Sequence, residues 1–368
     1  MATREGTWRY RDRFGDSFAR TYFRRFGDGV CSSVGVGTYL GDPTDEADDA
    51  YREAITTALD SGINVLDTAI NYRCQRSERV VGEALRQSSA DRDEVVVATK
   101  GGFLPFDGDR PDDPASYVRE EFLRSGLVDP DDLAVGSHCI APEFLDTQLD
   151  WSLDNLGLDS VDLYYVHNPE TQRRVRSESA VYDRLEAAFE RLEERRAEGD
   201  LRYYGVATWE AFRVPPDHDS YLSLPAVVRR AERAADSVGA DDSGLQAIQL
   251  PFNVTMADAV TREVHESGSG SETTDAATSA LRYAHEVGLD AFTSASIGQG
   301  DLAKSIPAEV DERLSGDTHA QRAINFARSA PGVTCSLVGT GTPAHVAENV
   351  ASGTFEPLGA GAFDDVFA

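Results

Sequence analysis

An α/β fold of the (β/α)8 type, a TIM barrel, is predicted by three observations. Short apolar runs alternate along the 368-residue chain with segments of helical spacing, eight such units follow one another, and helix-stop glycines (Gly62, Gly157, Gly199, Gly239, Gly288, Gly332) punctuate them. Eight strand–helix units in series favour a closed parallel barrel over an open sheet.

The apolar runs cover 34–40, 63–69, 94–100, 161–167, 203–207, 247–252, 289–293 and 335–339. Val95, Val96 and Val97 leave no polar face, as a strand covered on both sides requires. Helical spacing marks 46–60, 77–86, 142–156, 181–198, 224–237, 276–287, 320–330 and 343–351. We expect one barrel domain over 1–368, with its core at about 34–351 and insertions at about 101–140 and 262–275. The first, with Pro-Asp clusters near Arg110, follows the third strand and is expected to lie over the catalytic face. The second contains a Gly- and Ser-rich stretch, 267–274, expected to be a solvated linker. The first 30 residues carry Trp8, Tyr10, Phe14, Phe18, Tyr22, Phe23 and Phe26, expected to form a hairpin that plugs the barrel bottom.

Charge narrows the function. With 64 acidic residues against 35 Lys and Arg, the net charge of −29 repels phosphate and excludes a nucleic-acid binder by bulk electrostatics. All but two of the cations are arginine, the lysines being Lys100 and Lys304. A dense carboxylate surface almost free of lysine suits a halophile's cytosolic protein, soluble where salt screens repulsion. No run approaches the ~20 apolar residues of a membrane span, and no apolar leader follows the Arg-rich start, so a cytoplasmic location is expected. Cys31, Cys74, Cys139 and Cys335 are widely separated with no histidine at ligand spacing; buried free thiols are expected, with no metal.

Lys100 is the most informative residue, because it ends the apolar run VVVATK (95–100). An ammonium at the end of a buried strand needs a partner, and Asp67 ends the neighbouring run. Strands about 4.8 Å apart let such side chains meet. Tyr72 follows five residues after Asp67, and His167 ends the fourth run, VDLYYVH (161–167). Taken singly, Asp67 could be a helix cap, Tyr72 a packing aromatic and His167 a core histidine. Together they bring Asp, Tyr, Lys and His to one barrel rim.

GINVLDTAINY (62–72), the strand-end Lys100 and VDLYYVH (161–167) resemble the aldo-keto reductases, and the resemblance runs from about Val34 to Ala351. It implies hydride exchange between NADP or NAD and a small carbonyl or sugar substrate. Tyr72 would be the general acid or base, its pKa lowered by Lys100; Asp67 would hold the lysine, and His167 would orient the carbonyl or relay the proton.

The resemblance also implies cofactor contacts. Gln249 matches the glutamine on the nicotinamide carboxamide, where Thr208 still offers a hydroxyl but Ala207 has lost one. Ser294 stands where a stacking tyrosine is usual, unless Phe292 supplies the ring after a register shift. Ser296, Gly298, Gln299 and Gly300 would let backbone N–H groups approach the pyrophosphate. VGTGTPAHVAEN (338–349) resembles the adenosine-phosphate segment, placing Gly339, Thr340, His345, Glu348 and Asn349 there; Gly339, Gly341 and His345 stand where strong cations are common, so NAD and NADP both remain open. Tyr39, Asn168 and Trp209 are expected to line the substrate pocket. Arg73, with Arg76 and Arg79, is expected either to meet the substrate or to pair with nearby acids and start the second helix.

Two other readings compete: a nicotinamide-binding sensor with little turnover, as potassium-channel β subunits resemble, and a barrel lyase or isomerase using Lys100 as a Schiff base. The sequence leaves oligomeric state and reaction direction open.

Overall fold

The computed structural model describes residues 1–266 and 277–367. Eight parallel strands close the predicted barrel: β1 (Val34–Gly37), β2 (Val65–Asp67), β3 (Val96–Gly101), β4 (Val161–His167), β5 (Leu201–Ala207), β6 (Leu245–Pro251), β7 (Asp290–Ser294) and β8 (Val333–Gly339). They close in chain order, with β8 hydrogen-bonded to β1. The eight expected helices form as α1 (Asp45–Leu59), α2 (Arg76–Gln87), α3 (Pro142–Leu156), α4 (Glu178–Glu198), α5 (Leu224–Val238), α6 (Ala280–Glu286), α7 (His319–Ser329) and α8 (Pro343–Ser352). The 267–274 stretch lies outside the described residues.

Local chemistry sets these boundaries. Thr44, Ser177 and Ser223 accept the N–H three residues ahead at the starts of α1, α4 and α5. Pro142 opens α3, where its missing N–H costs nothing, and Gly157 closes it with φ +63°. Every residue of β3 and β4 is buried, which accounts for their apolar character on both faces. The barrel interior is filled by Val65, Val96, Ala98, Leu163, Tyr165, Ala247, Phe292, Cys335 and Leu337. All four cysteines are free and buried.

The N-terminal expectation needs correction. Residues Arg4–Phe14 form a helix capped by Thr3, and the hairpin is confined to Phe23–Phe26 and Gly29–Ser32. The helix follows from spacing: Arg9 and Arg13, one turn apart, both pair with buried Glu94 beneath β3. Tyr10 donates its hydroxyl to the carbonyls of Leu59 and Ile63. The plugging role belongs to Phe26, whose ring meets Phe292 edge-on at 5.6 Å.

The long insertion is also more than a loop. After β3 it forms a short helix, Pro114–Val118, running on into one wide turn, Arg119–Leu123. Leu104, Val118, Phe122, Val128 and Cys139 make a small core of their own against Phe144 of α3. This apolar content fixes the segment over the carboxyl ends of the strands, where Phe103 reaches the rim.

Candidate active site

Asp67 is the last residue of β2 and Lys100 the penultimate one of β3, so the pairing of these strands brings them together. Lys100 is fully buried; its Nζ donates to Asp67 Oδ1 at 2.5 Å and to the Thr68 carbonyl at 2.8 Å. The second oxygen of Asp67 accepts from Gln249 Nε2 at 2.7 Å, a contact not foreseen for a residue expected on the nicotinamide amide. Burial lowers the Lys100 pKa, and Asp67 opposes that shift.

Tyr72 stands above this pair, its ring centre 4.9 Å from Lys100 Nζ and 5.9 Å from the His167 ring. The four predicted residues therefore meet. The expected lowering of the Tyr72 pKa does not occur: burial, then the Asp67 carboxylate, then Tyr39 hold the phenol well above its usual value. The ammonium faces the ring and is committed to Asp67, which removes its leverage on the hydroxyl. His167 is kept neutral, its pKa driven well below the ordinary value by burial and then by Lys100 and His138.

His138 and Glu170 escaped sequence reasoning. His138, fully buried at the end of the insertion, accepts from Gln172 Nε2 at Nδ1 (3.0 Å), so its Nε2–H donates to the His167 carbonyl (2.8 Å). That bond fixes the backbone carrying His167. Burial brings the His138 pKa down to about 4. Glu170 follows β4 and accepts the N–H groups of Trp209 and Glu210 on one oxygen, at 2.7 and 3.1 Å, while the other has no partner. Burial raises this carboxyl to about 7. Neither residue belongs to a spaced motif, so the sequence offered no signal for them.

A cavity of about 470 Å³ opens over the four residues, lined by Asp67, Tyr72 and His167 and by the expected Tyr39, Asn168, Thr208, Trp209, Gln249, Ser294, Gln299 and Gly339. It adjoins a second, of about 490 Å³, through Leu40, Ile297, Gln299 and Gly339. Gly300, His345, Glu348 and Asn349 line that second cavity, and Asn349 donates to the buried Thr340 hydroxyl beneath it. Gly298 lines a third cavity beside Trp209. The Lys304 side chain is 78% exposed at the end of the short helix that follows, Asp301–Lys304, paired with Asp301.

One further expectation, on the Gly298 and Gly300 N–H groups, is corrected, and two choices left open by the sequence are decided. Arg73 does not reach the substrate cavity: its buried guanidinium bonds Asp48 and the carbonyls of Asp42 and Thr44 and lies over Tyr51, fixing the start of α1. Phe292 points into the barrel interior against Phe26 and Tyr165 and supplies no ring to the rim. The N–H groups of Gly298 and Gly300 are spent within their own turn, on the carbonyls of Ala295 and Ile297.

The barrel with a rim lysine, aspartate, tyrosine and histidine defines a class of (β/α)8 proteins with a built polar centre at the strand ends. Residues 33–215, just under half of the chain, match the family model described as Aldo/keto reductase family. It is 32% identical over 159 residues to 2,5-diketo-D-gluconic acid reductase B of Corynebacterium sp. (strain SHS752001), covering 43% of this chain and 42% of that one. It is 29% identical over 189 residues to the NADH-specific methylglyoxal reductase of Escherichia coli (strain K12), covering 50% of each. The chain thus spans about half the length of the curated relatives it matches. Among solved structures, the fold is like that of an aldo/keto reductase from Klebsiella pneumoniae in complex with NADP and acetate, with a TM-score of 0.61, 18% identity and 94% of both chains covered.

Proposed function

We propose that the chain is an NAD(P)-dependent oxidoreductase that interconverts a small aldehyde, ketone or sugar hemiacetal with its alcohol or lactone. The observation that carries this reading is the buried Lys100–Asp67 pair under Tyr72 and beside neutral His167, at one end of a double cavity. The names of the relatives, reductases of methylglyoxal and of a keto-sugar acid, support a small carbonyl substrate.

The residues present fit a nicotinamide dinucleotide. The Thr208 hydroxyl lies in the cavity wall with no partner and suits a carboxamide, and the two joined cavities suit an elongated ligand. When bound, the cofactor supplies or accepts the hydride. The Tyr72 hydroxyl, protonated because its pKa is high, hydrogen-bonds the carbonyl oxygen and gives up its proton as alkoxide character develops. An alkoxide is basic enough to take a proton even from such a phenol. In oxidation the same oxygen receives the proton. His167, neutral and close to Tyr72, orients the substrate oxygen, while Asp67 and Gln249 hold Lys100 in place. Glu348 and Asn349 would take the adenosine end. No lysine or arginine lines that cavity among the described residues, so NAD(H) fits it at least as well as NADP(H). The acidic, lysine-poor composition supports a salt-rich cytoplasm as the setting.

The test is fluorescence titration with NADH and NADPH in molar KCl, paired with turnover of aldehydes and sugars by the native chain and Tyr72→Phe. Saturable binding by both forms, with turnover reduced about 1,000-fold or more in the variant, is expected. Binding without turnover of any substrate would favour the sensor. Absence of binding would overturn the proposal and return attention to Lys100 as an amine nucleophile.

A further inference from the structure

Charge at the substrate end of the cavity decides more about specificity than its volume does. The walls around Tyr72 and His167 are the rings of Tyr39, Phe103 and Trp209 and the amides of Asn71 and Asn168. Asp67 is the one ionisable carboxylate in the lining, and it is already bonded to Lys100 and Gln249. Among the described residues, no lysine or arginine lines this space.

The guanidinium groups nearest in the chain are committed elsewhere. Arg73 is locked on Asp48, Arg76 pairs with Asp45 and Asp48, and Arg79 pairs with Asp107. Arg213, four residues beyond Trp209, bonds Asp258 and the Trp209 carbonyl. His167 carries no charge to offer at neutral pH. An anion entering here loses water and meets no cation, in a chain whose net charge of −29 already repels it.

We infer that this site takes uncharged carbonyl substrates, held between aromatic walls and amide groups, and rejects those bearing a carboxylate or phosphate. The inference rests on the oxidoreductase reading above and narrows its substrate class. It sets this chain apart from a relative named for a keto-sugar acid.

The experiment compares 4-formylbenzamide with 4-carboxybenzaldehyde, which have nearly the same shape and differ in charge, using the full-length chain and its preferred dinucleotide. The amide is expected to have a kcat/KM about 100-fold higher, the size of effect that an unpaired, partly desolvated charge produces. The ratio should persist in molar KCl, where the screening length falls to about 3 Å, because the missing partner is local. Tyr39→Arg, at a position 58% exposed on the rim, should narrow the ratio about tenfold by giving the carboxylate a cation. Equal kcat/KM for the two aldehydes, or a ratio that vanishes in molar salt, would overturn the inference and leave the oxidoreductase reading standing. No turnover of either compound, nor of methylglyoxal or neutral sugars, would overturn both.

Discussion

The two ends of the barrel handle buried polarity in opposite ways. At the bottom, carboxylates are saturated: Glu94 holds Arg9 and Arg13, Asp162 accepts from the N–H groups of Ala2 and Val97 and from Arg92, and Asp290 accepts from Gln246 and Thr334. At the top, hydroxyl and ring atoms are left open: Thr68 Oγ1, Thr208 Oγ1, Asn71 Oδ1 and His167 Nδ1 have no partner. A buried polar atom without a partner costs about 1–3 kcal/mol; open atoms occur at the bottom as well, on Tyr22, Arg92 and Arg328, but Asn71, His167 and Thr208 share one cavity, where a ligand can complete the bonding. The bottom stabilises the fold, and the top gives up stability for binding.

Four substitutions can break or sharpen that contrast. Lys100→Met should have the largest effect, lowering kcat about 1,000-fold or more while also removing the partner of Asp67; steady-state kinetics checks it, with circular dichroism to confirm folding. Asp162→Asn, at the opposite end, should cost about 3 kcal/mol in urea unfolding and leave kcat per folded molecule unchanged. A large loss of kcat there would erase the distinction between the two ends.

His138→Phe keeps an aromatic ring, larger than imidazole, but deletes the bond to the His167 carbonyl and the acceptor of Gln172 Nε2, and should lower kcat about tenfold with dinucleotide affinity retained. The smallest effect is a pH dependence. Glu170 has a folded pKa of about 7, above the ordinary carboxylate value, so the folded state holds the proton over the interval between them. Its contribution is therefore full at acid pH and is lost as pH rises to about 7, at no more than about 1.4 kcal/mol per pH unit. Glu170→Gln should remove that slope, read as the difference between wild-type and variant melting curves from pH 5 to 8.

The legible parts of the molecule were those written in local pattern. Eight strand–helix units could be read because each strand is buried on both faces and each helix repeats its apolar stripe. The Asp67, Tyr72, Lys100 and His167 group could be read because parallel strands deliver their last residues to one rim. What failed depended on distant partners. The N-terminal helix is rich in arginine and aromatic residues, and its logic appears once Glu94 lies beneath it. Of the two readings of Arg73 the pairing with nearby acids holds, but the sequence could not name Asp48, 25 positions earlier in the chain, as the partner. The Tyr72 pKa went the wrong way because sequence shows that a lysine is near, not which face of the ring it meets.

The scarcity of lysine has a practical side. Lys100 is sealed under Tyr72, so Lys304 is the one lysine of the chain whose ammonium reaches solvent. Apart from the α-amine at the chain start, an amine-reactive dye or acetyl donor thus has a single address, on the helix that carries the cavity-lining Ala303. A fluorophore attached there would sit beside the second cavity without any engineered residue, and its emission could report occupancy of that cavity directly.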